Sequence, residues 1–365
     1  MSGGQPEIEA LDGFLDGLTR PVGVASAAEA LVAASSDILY RRAAGFRVGG
    51  EPLCPGMRFD AASLTKPWMA TLGLVLDQAG VLPLSTLLAE IFESPALARG
   101  AHTRGVSLDQ LLRHTSGIAA WAPLAVRLGK RHVVPEALVS FLLSDDLWAS
   151  RNEESASPAG SLYSDPGYIL WGLAVEKATG RRLGALLDSQ VCVPLGVASL
   201  GALAADPPAP VECRLDNGRE VELAAEQGLE LSPQRSFHLG VPQDGNARAL
   251  GELCGHAGLF LTTDEQLVLG REWLRPGRVL NVAARDRALA GAGGHALGWA
   301  RWSADGSSGP ALSKSSFGHT GFTGGSLWID PESDRLFVLL AHRLSSRIDF
   351  NPFRREFHRL AAVAF

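Results

Sequence analysis

The sequence predicts an α/β (α+β) fold, an antiparallel sheet flanked by helices with a helical lobe beside it. Three observations carry this expectation. Short apolar runs broken by turn residues lie near both ends of the chain, helix-spaced apolar residues fill the middle, and no repeat or low-complexity tract interrupts the pattern. The expected division is a sheet unit from 1–60 and 290–365 and a mainly helical unit over 61–289, with an irregular excursion at about 201–246.

The elements follow in chain order. Ile8, Leu11, Phe14, Leu15 and Leu18 recur at three- and four-residue steps, the spacing of an amphipathic helix lying on a domain. Residues 24–34 and 38–46 flank Ser35, Ser36 and Asp37 and read as a β-hairpin. A helix opens near Lys66 and stops at Gly80, and Ser107 and Gln110 stand in capping-box spacing at the start of another. Residues 168–180 form a helix with Gly180 as its C-cap, followed by a further helix over 182–196. Pro, Gly and charge dominate 201–246, which reads as irregular. Two runs either side of Pro331, Glu332, Ser333 and Asp334 make a second hairpin, its continuous apolar strand buried on both faces. A last helix starts at Pro352, with Phe353, Phe357, Leu360 and Ala361 on one side.

Composition narrows the function. With 365 residues, 46% hydrophobic and 20% charged, the chain is globular, which excludes wholesale disorder, collagen and coiled coil. Its 33 cations against 39 acids leave −6, a sign that repels phosphate backbones, so no nucleic-acid partner is expected. No apolar run is long enough for a membrane span. Glu7, Glu9, Asp12 and Asp16 stand where a secretory leader would carry positive charge, so the expected location is cytoplasmic. Cys54, Cys192, Cys213 and Cys254 lie far apart and read as buried free thiols rather than zinc ligands or disulfides. The G-x-G-x-x-A match at 291–296 lacks the surrounding strand–helix–strand unit, and G-x-S-x-G, H-E-x-x-H and Walker patterns do not occur.

Three segments can carry chemistry. Only four of the cations are lysines, and Lys66 alone has a serine, Ser63, three residues before it at a helix start. Residues so spaced share a helical face, and a lysine can serve as the base that a serine nucleophile needs, whereas an arginine cannot. Tyr163, Ser164 and Asp165 follow the polar loop at 155–162. A phenol there can shuttle a proton, while the plainer alternative packs the ring and uses Asp165 before Pro166 as an N-cap. The glycine-rich stretch Phe317–Gly325 holds His319, Thr320 and Gly321, where a ligand can lie against backbone N–H groups. His114 and His256 read as structural hydrogen-bonding residues. Most tryptophans read as core, with Trp121 a possible pocket wall.

Taken together, Ser63-x-x-Lys66, Tyr163-x-Asp165 and His319-Thr320-Gly321, with flanks such as FDAASLTK and GHTGFTGGSLWIDP, resemble the penicillin-recognising serine enzymes over nearly the whole chain. The resemblance is to the branch holding class C β-lactamases, family VIII esterases and D-alanyl-D-alanine peptidases. It implies a β-lactamase/transpeptidase-like fold, with Ser63 as the acylated nucleophile, Lys66 as its base and Tyr163 assisting proton transfer. It also implies an oxyanion hole from the backbone N–H groups of Ser63 and Phe322, with no metal or organic cofactor. Two positions depart from the family pattern. Asp165 replaces an asparagine and can pair with Lys66, keeping it protonated. His319 replaces a lysine, exchanging a permanent cation for an imidazole. Affinity for a substrate carboxylate should therefore fall, and any preference for anionic substrates should grow as pH drops toward 6. The expected partner is a small-molecule ester, amide or D-amino-acid peptide, hydrolysed through an acyl-enzyme at Ser63 with weak β-lactam turnover. The alternative is a catalytically silent binding or scaffolding protein of the same fold.

Overall fold

The computed structural model describes residues 4–20, 22–47, 50–93, 103, 105–128, 135–148, 161–198, 200, 211, 213, 215–234, 240–251 and 253–365. The polar loop before Tyr163 lies outside the described residues over 155–160. Nine strands are present among the described residues: β1 (Ala25–Ala33), β2 (Ile38–Gly45), β3 (Phe59–Asp60), β4 (Phe260–Leu261), β5 (His295–Ala296), β6 (Trp299–Arg301), β7 (Phe317–Thr320), β8 (Gly324–Asp330) and β9 (Arg335–Arg343). Seven form one antiparallel sheet in the order β2-β1-β9-β8-β7-β6-β5, and β3 pairs with β4. Both predicted hairpins form, and the late strand β9 slots beside the early strand β1, with Ala25 opposite Arg343 and Ala33 opposite Leu336.

Alternation along the central strands explains why the sheet is covered twice. In β9, Phe337, Leu339 and Ala341 face one apolar cluster and Leu336, Val338 and Leu340 the other. The first cluster is closed by the terminal helices Gln5–Thr19 and Asn351–Ala364, whose Leu11, Leu15 and Phe357 are fully buried. Each such side chain removed from water contributes about 1.5–3 kcal/mol. The second face takes the helix Thr263–Leu274 and merges with the helical part of the chain around the helix Thr65–Gln78. Among the described residues, no helix is long and apolar enough to cross a membrane.

Three sequence expectations change. The stretch 201–246 contains the helix Gly218–Glu226. Its run of helix-forming Arg, Glu, Leu and Ala outweighs the Pro and Gly around it, and an average over the whole stretch hides it. Cys54 is exposed and Cys254 half-buried, whereas Cys192 and Cys213 are buried as expected. The N-cap of the helix Asp165–Thr179 is Ser164, whose Oγ accepts the Gly167 N–H at 3.0 Å. Asp165 is thereby left free to face elsewhere.

Candidate active site

The Ser63–Lys66 spacing falls on a tight turn that runs into a helix. Ser63 sits in the 3₁₀ turn Ala62–Leu64 and Lys66 in the first turn of the helix Thr65–Gln78. Ala62, directly before the serine, has φ +45°, a conformation costing ~1–2 kcal/mol for a residue with a Cβ. Buried Asp60 offsets that strain by accepting the Ala62 N–H at 2.9 Å and the Gln243 N–H at 2.7 Å. Burial pushes the Asp60 carboxyl up to about 6.

Two groups converge on the serine oxygen. Lys66 Nζ donates to Ser63 Oγ at 2.8 Å, to Asp165 Oδ1 at 2.7 Å and to the His256 carbonyl at 3.3 Å. Tyr163 Oη donates to Ser63 Oγ at 2.8 Å. Burial opposes the charge on fully buried Lys66, but the Asp165 carboxylate outweighs it, so the ammonium is held above the ordinary lysine range. Burial likewise pushes the Tyr163 phenol up, against the pull of Lys66. The resting site is therefore an ammonium, a carboxylate and a neutral phenol around one hydroxyl, with the Lys66–Asp165 pairing expected from the sequence.

Neighbouring residues fix these groups in place. His114, at φ +60°, stacks its ring 4.5 Å from that of Tyr163 while Nδ1 accepts the Ser164 N–H at 3.0 Å. Burial keeps this imidazole neutral, its pKa well below the usual histidine range. His256 Nε2 lies 2.8 Å from Asp244 Oδ1, and its Nδ1 lies 3.2 Å from Cys254 Sγ. Burial opposes charge on both partners. Yet their mutual attraction holds Asp244 below the usual carboxylate range and lifts His256 well above its ordinary value. Ligand atoms of Asp165, Asp244 and His256 all lie within 4.8 Å of one another, the spacing of a metal site. Each is already engaged, Asp165 by Lys66 and Asp244 by His256 and the Ala247 N–H, so the group reads as an ion-pair network.

The third segment closes the site from the sheet. His319 and Thr320 end β7, and Gly321 packs so tightly on the nucleophile turn that a Cβ there would lie 2.6 Å from the Ala61 carbonyl oxygen. Arg354 braces this corner, Nη2 donating to the Gly321 and Gly325 carbonyls at 2.8 and 3.1 Å. The Phe322 N–H meets no partner among the described residues, as an oxyanion donor requires. His319 behaves differently from the sequence expectation. It is buried, and its Nδ1 lies 2.8 Å from the Thr320 carbonyl, which can only accept, so the proton sits on Nδ1 and Nε2 is an acceptor. Burial and then Lys66 hold its pKa at about 3, so it gains no charge near pH 6.

Ser63, Trp121, Tyr163, Asp165, His319 and Phe322 all line one cleft of about 820 Å³. The structure thus brings together every residue singled out from the three motifs. Sequence reasoning missed Asp244 and Arg354, which belong to no motif, and gave no role to Asp60, which stands in the flank FDAASLTK. The only signal for Arg354 was its place on the predicted last helix, which said nothing of the direction it faces.

Comparison with known proteins agrees with this geometry. The family model described as Beta-lactamase matches residues 15–360. Esterase EstB of Burkholderia gladioli is 32% identical over 303 residues, covering 74% of this chain and 73% of its own length. The solved structure of EstCE1, described as a hydrolase with promiscuous acyltransferase activity, is similar with a TM-score of 0.72 at 18% identity. That match covers 99% of this chain and 98% of the other. A penicillin-binding protein homolog from Caulobacter crescentus gives a TM-score of 0.68 at 18% identity, covering 100% and 99%.

Proposed function

The chain belongs to the Beta-lactamase family, and from that premise we propose that it is a serine hydrolase that cleaves esters, and amides more slowly, through an acyl-enzyme at Ser63. The observation that carries the reading is the convergence of Lys66 Nζ and Tyr163 Oη, each 2.8 Å from Ser63 Oγ, at the wall of an open cleft. The similarity to an esterase over about three quarters of both chains supports the ester preference.

The chemistry follows from the protonation states. Hydroxyl hydrogens rotate, so the Ser63–Tyr163 hydrogen bond can reverse when substrate enters. Ser63 Oγ attacks the acyl carbon and gives its proton to Tyr163, which passes its own to the leaving oxygen as the carbon–oxygen bond breaks. The Lys66 ammonium steadies negative charge on both oxygens throughout, and Asp165 keeps it charged. The Phe322 N–H, with that of Ser63, meets the developing oxyanion. Water then repeats the exchange, releasing the acid and restoring the serine. In this reading the sheet unit of 1–60 and 290–365 supplies the oxyanion side and the unit of 61–289 the nucleophile.

Side-by-side hydrolysis of p-nitrophenyl acetate and butyrate, nitrocefin and D-amino-acid peptides tests the proposal. Short esters are expected to turn over fastest, and Ser63→Ala to lower kcat/KM at least about 10³-fold. A fluorophosphonate probe should add its mass at Ser63. Ligand binding without Ser63-dependent turnover of any of these substrates would favour the silent scaffold instead.

A further inference from the structure

Two buried arginines border the cleft, Arg343 at the end of β9 and Arg354 on the last helix, and neither forms an ion pair with a described residue. Arg354 has both Nη groups engaged, bound to Asn351 Oδ1 and to the Gly321 and Gly325 carbonyls, and only its buried Nε has no partner. Arg343 is only half used. Nη1 donates to the Ile348 carbonyl at 2.5 Å, and one face of the guanidinium lies on the Phe322 ring, Cζ 4.1 Å from its centre. Nε is buried with no hydrogen-bond partner, and Nη2 donates to no described residue.

Nε–H and Nη2–H lie on the same edge of the planar group, the fork that takes both oxygens of a carboxylate. Leaving a buried donor unmet costs about 1–3 kcal/mol, so an acceptor entering the cleft is favoured there. Of the other charged groups lining the cleft, Asp349 accepts the Asn351 N–H at 3.0 Å and Glu220 the Gly245 N–H at 2.8 Å. Arg219 and Arg347 are bound to Glu222 at 3.3 and 3.0 Å, and Asp216 is held by Ser346 Oγ at 2.5 Å and the Gly218 N–H at 2.8 Å. Burial lowers Arg343 to about 10 against the influence of Asp216 and Asp349, so the group is cationic at neutral pH.

We propose that Arg343 determines specificity by receiving, through Nε and Nη2, a carboxylate carried by the ester or amide being hydrolysed. The inference rests on the hydrolase reading above and adds a substrate class to it. It also reverses the expectation drawn from His319, because the anion is met beyond the Phe322 ring rather than at the imidazole.

Two substrate pairs test it, corrected for spontaneous hydrolysis. p-Nitrophenyl hemiglutarate against p-nitrophenyl butyrate places the acid on the acyl side, and 4-acetoxybenzoate against its methyl ester places it on the leaving side. In one pair the wild type should favour the acid by at least about tenfold in kcat/KM. Arg343→Gln should lower that acid-to-neutral ratio at least about tenfold, with Arg343→Lys between. A wild-type ratio near one in both pairs, or a ratio untouched by Arg343→Gln, overturns the proposal. Should Arg343→Gln not fold, glutarate and 4-hydroxybenzoate are tried as competitive inhibitors of butyrate-ester hydrolysis by the wild type, and inhibition by neither is equally fatal. If no ester is hydrolysed, the hydrolase reading fails separately. Calorimetry with the same two acids then decides this one, binding supporting it and no binding overturning it.

Discussion

The two walls of the cleft differ in how their charges are met. On the helical wall, Lys66 is matched by Asp165 and His256 by Asp244, each at 2.7–2.8 Å. On the sheet wall, His319 is held neutral and Arg343 keeps two donors without an acceptor among the described residues. A side whose charges are satisfied internally is suited to moving protons without relying on the ligand. A side left unsatisfied is suited to selecting one. On the proposed reading, proton transfer falls to the helical wall, and substrate selection, with one oxyanion donor, to the sheet wall.

The strongest way to break this contrast is Asp165→Asn. It leaves a buried ammonium without its counter-ion, and stability should fall by about 3 kcal/mol in urea denaturation. The raised Lys66 pKa contributes stability that is complete below the ordinary lysine value and lost as pH rises through the higher folded value. The variant should therefore begin its alkaline loss at lower pH, and an unchanged alkaline limb would show that the helical wall is not locked by charge. His319→Asn gives a smaller effect of the opposite sense. The unfolded chain binds this proton near pH 6.5 and the folded one only near 3, so stability drops as pH falls between those values. The variant should reduce that slope, leaving the share that buried His114 contributes in the same direction. Across pH 6–8 its acid-to-neutral substrate ratio should match the wild type. A divergence would return the imidazole to anion recognition. Smallest is Ser107→Ala, which removes the capping box of the helix Leu108–Leu112. It should cost about 1 kcal/mol by thermal denaturation with kcat/KM unchanged. A fall in activity would mean that the helical wall responds to packing as well as to charge.

What the sequence disclosed tracks how local each feature is. The hairpins, the terminal helices and the Ser63–Lys66 pairing are written in spacings of two, three and four residues, and the structure contains all of them. The meeting of Tyr163 and His319 with Ser63 came only through the order of motifs resembling a family, because no local spacing joins positions so far apart. The remaining features have no periodic signature. Asp244 acts through His256 across a turn, Arg343 is one arginine among many at a strand end, and the strained φ of Ala62 depends on an Asp60 carboxylate that looks ordinary in the sequence. His319 was misjudged because its charge is set by burial and by Lys66, neither of which its own segment records.

The pairing of β1 with β9 also bears on synthesis. Ala25 through Ala33 leave the ribosome early, yet the strand that must lie beside them, 335–343, emerges almost a full chain length later. At roughly 5–20 residues per second, the first hairpin waits tens of seconds with one edge unpaired, one face met only by the helix Gln5–Thr19 that precedes it. The nascent chain is thus most vulnerable to aggregation just before its last strand arrives, and a translational pause ahead of residue 335 would hurt yield more than one placed after it.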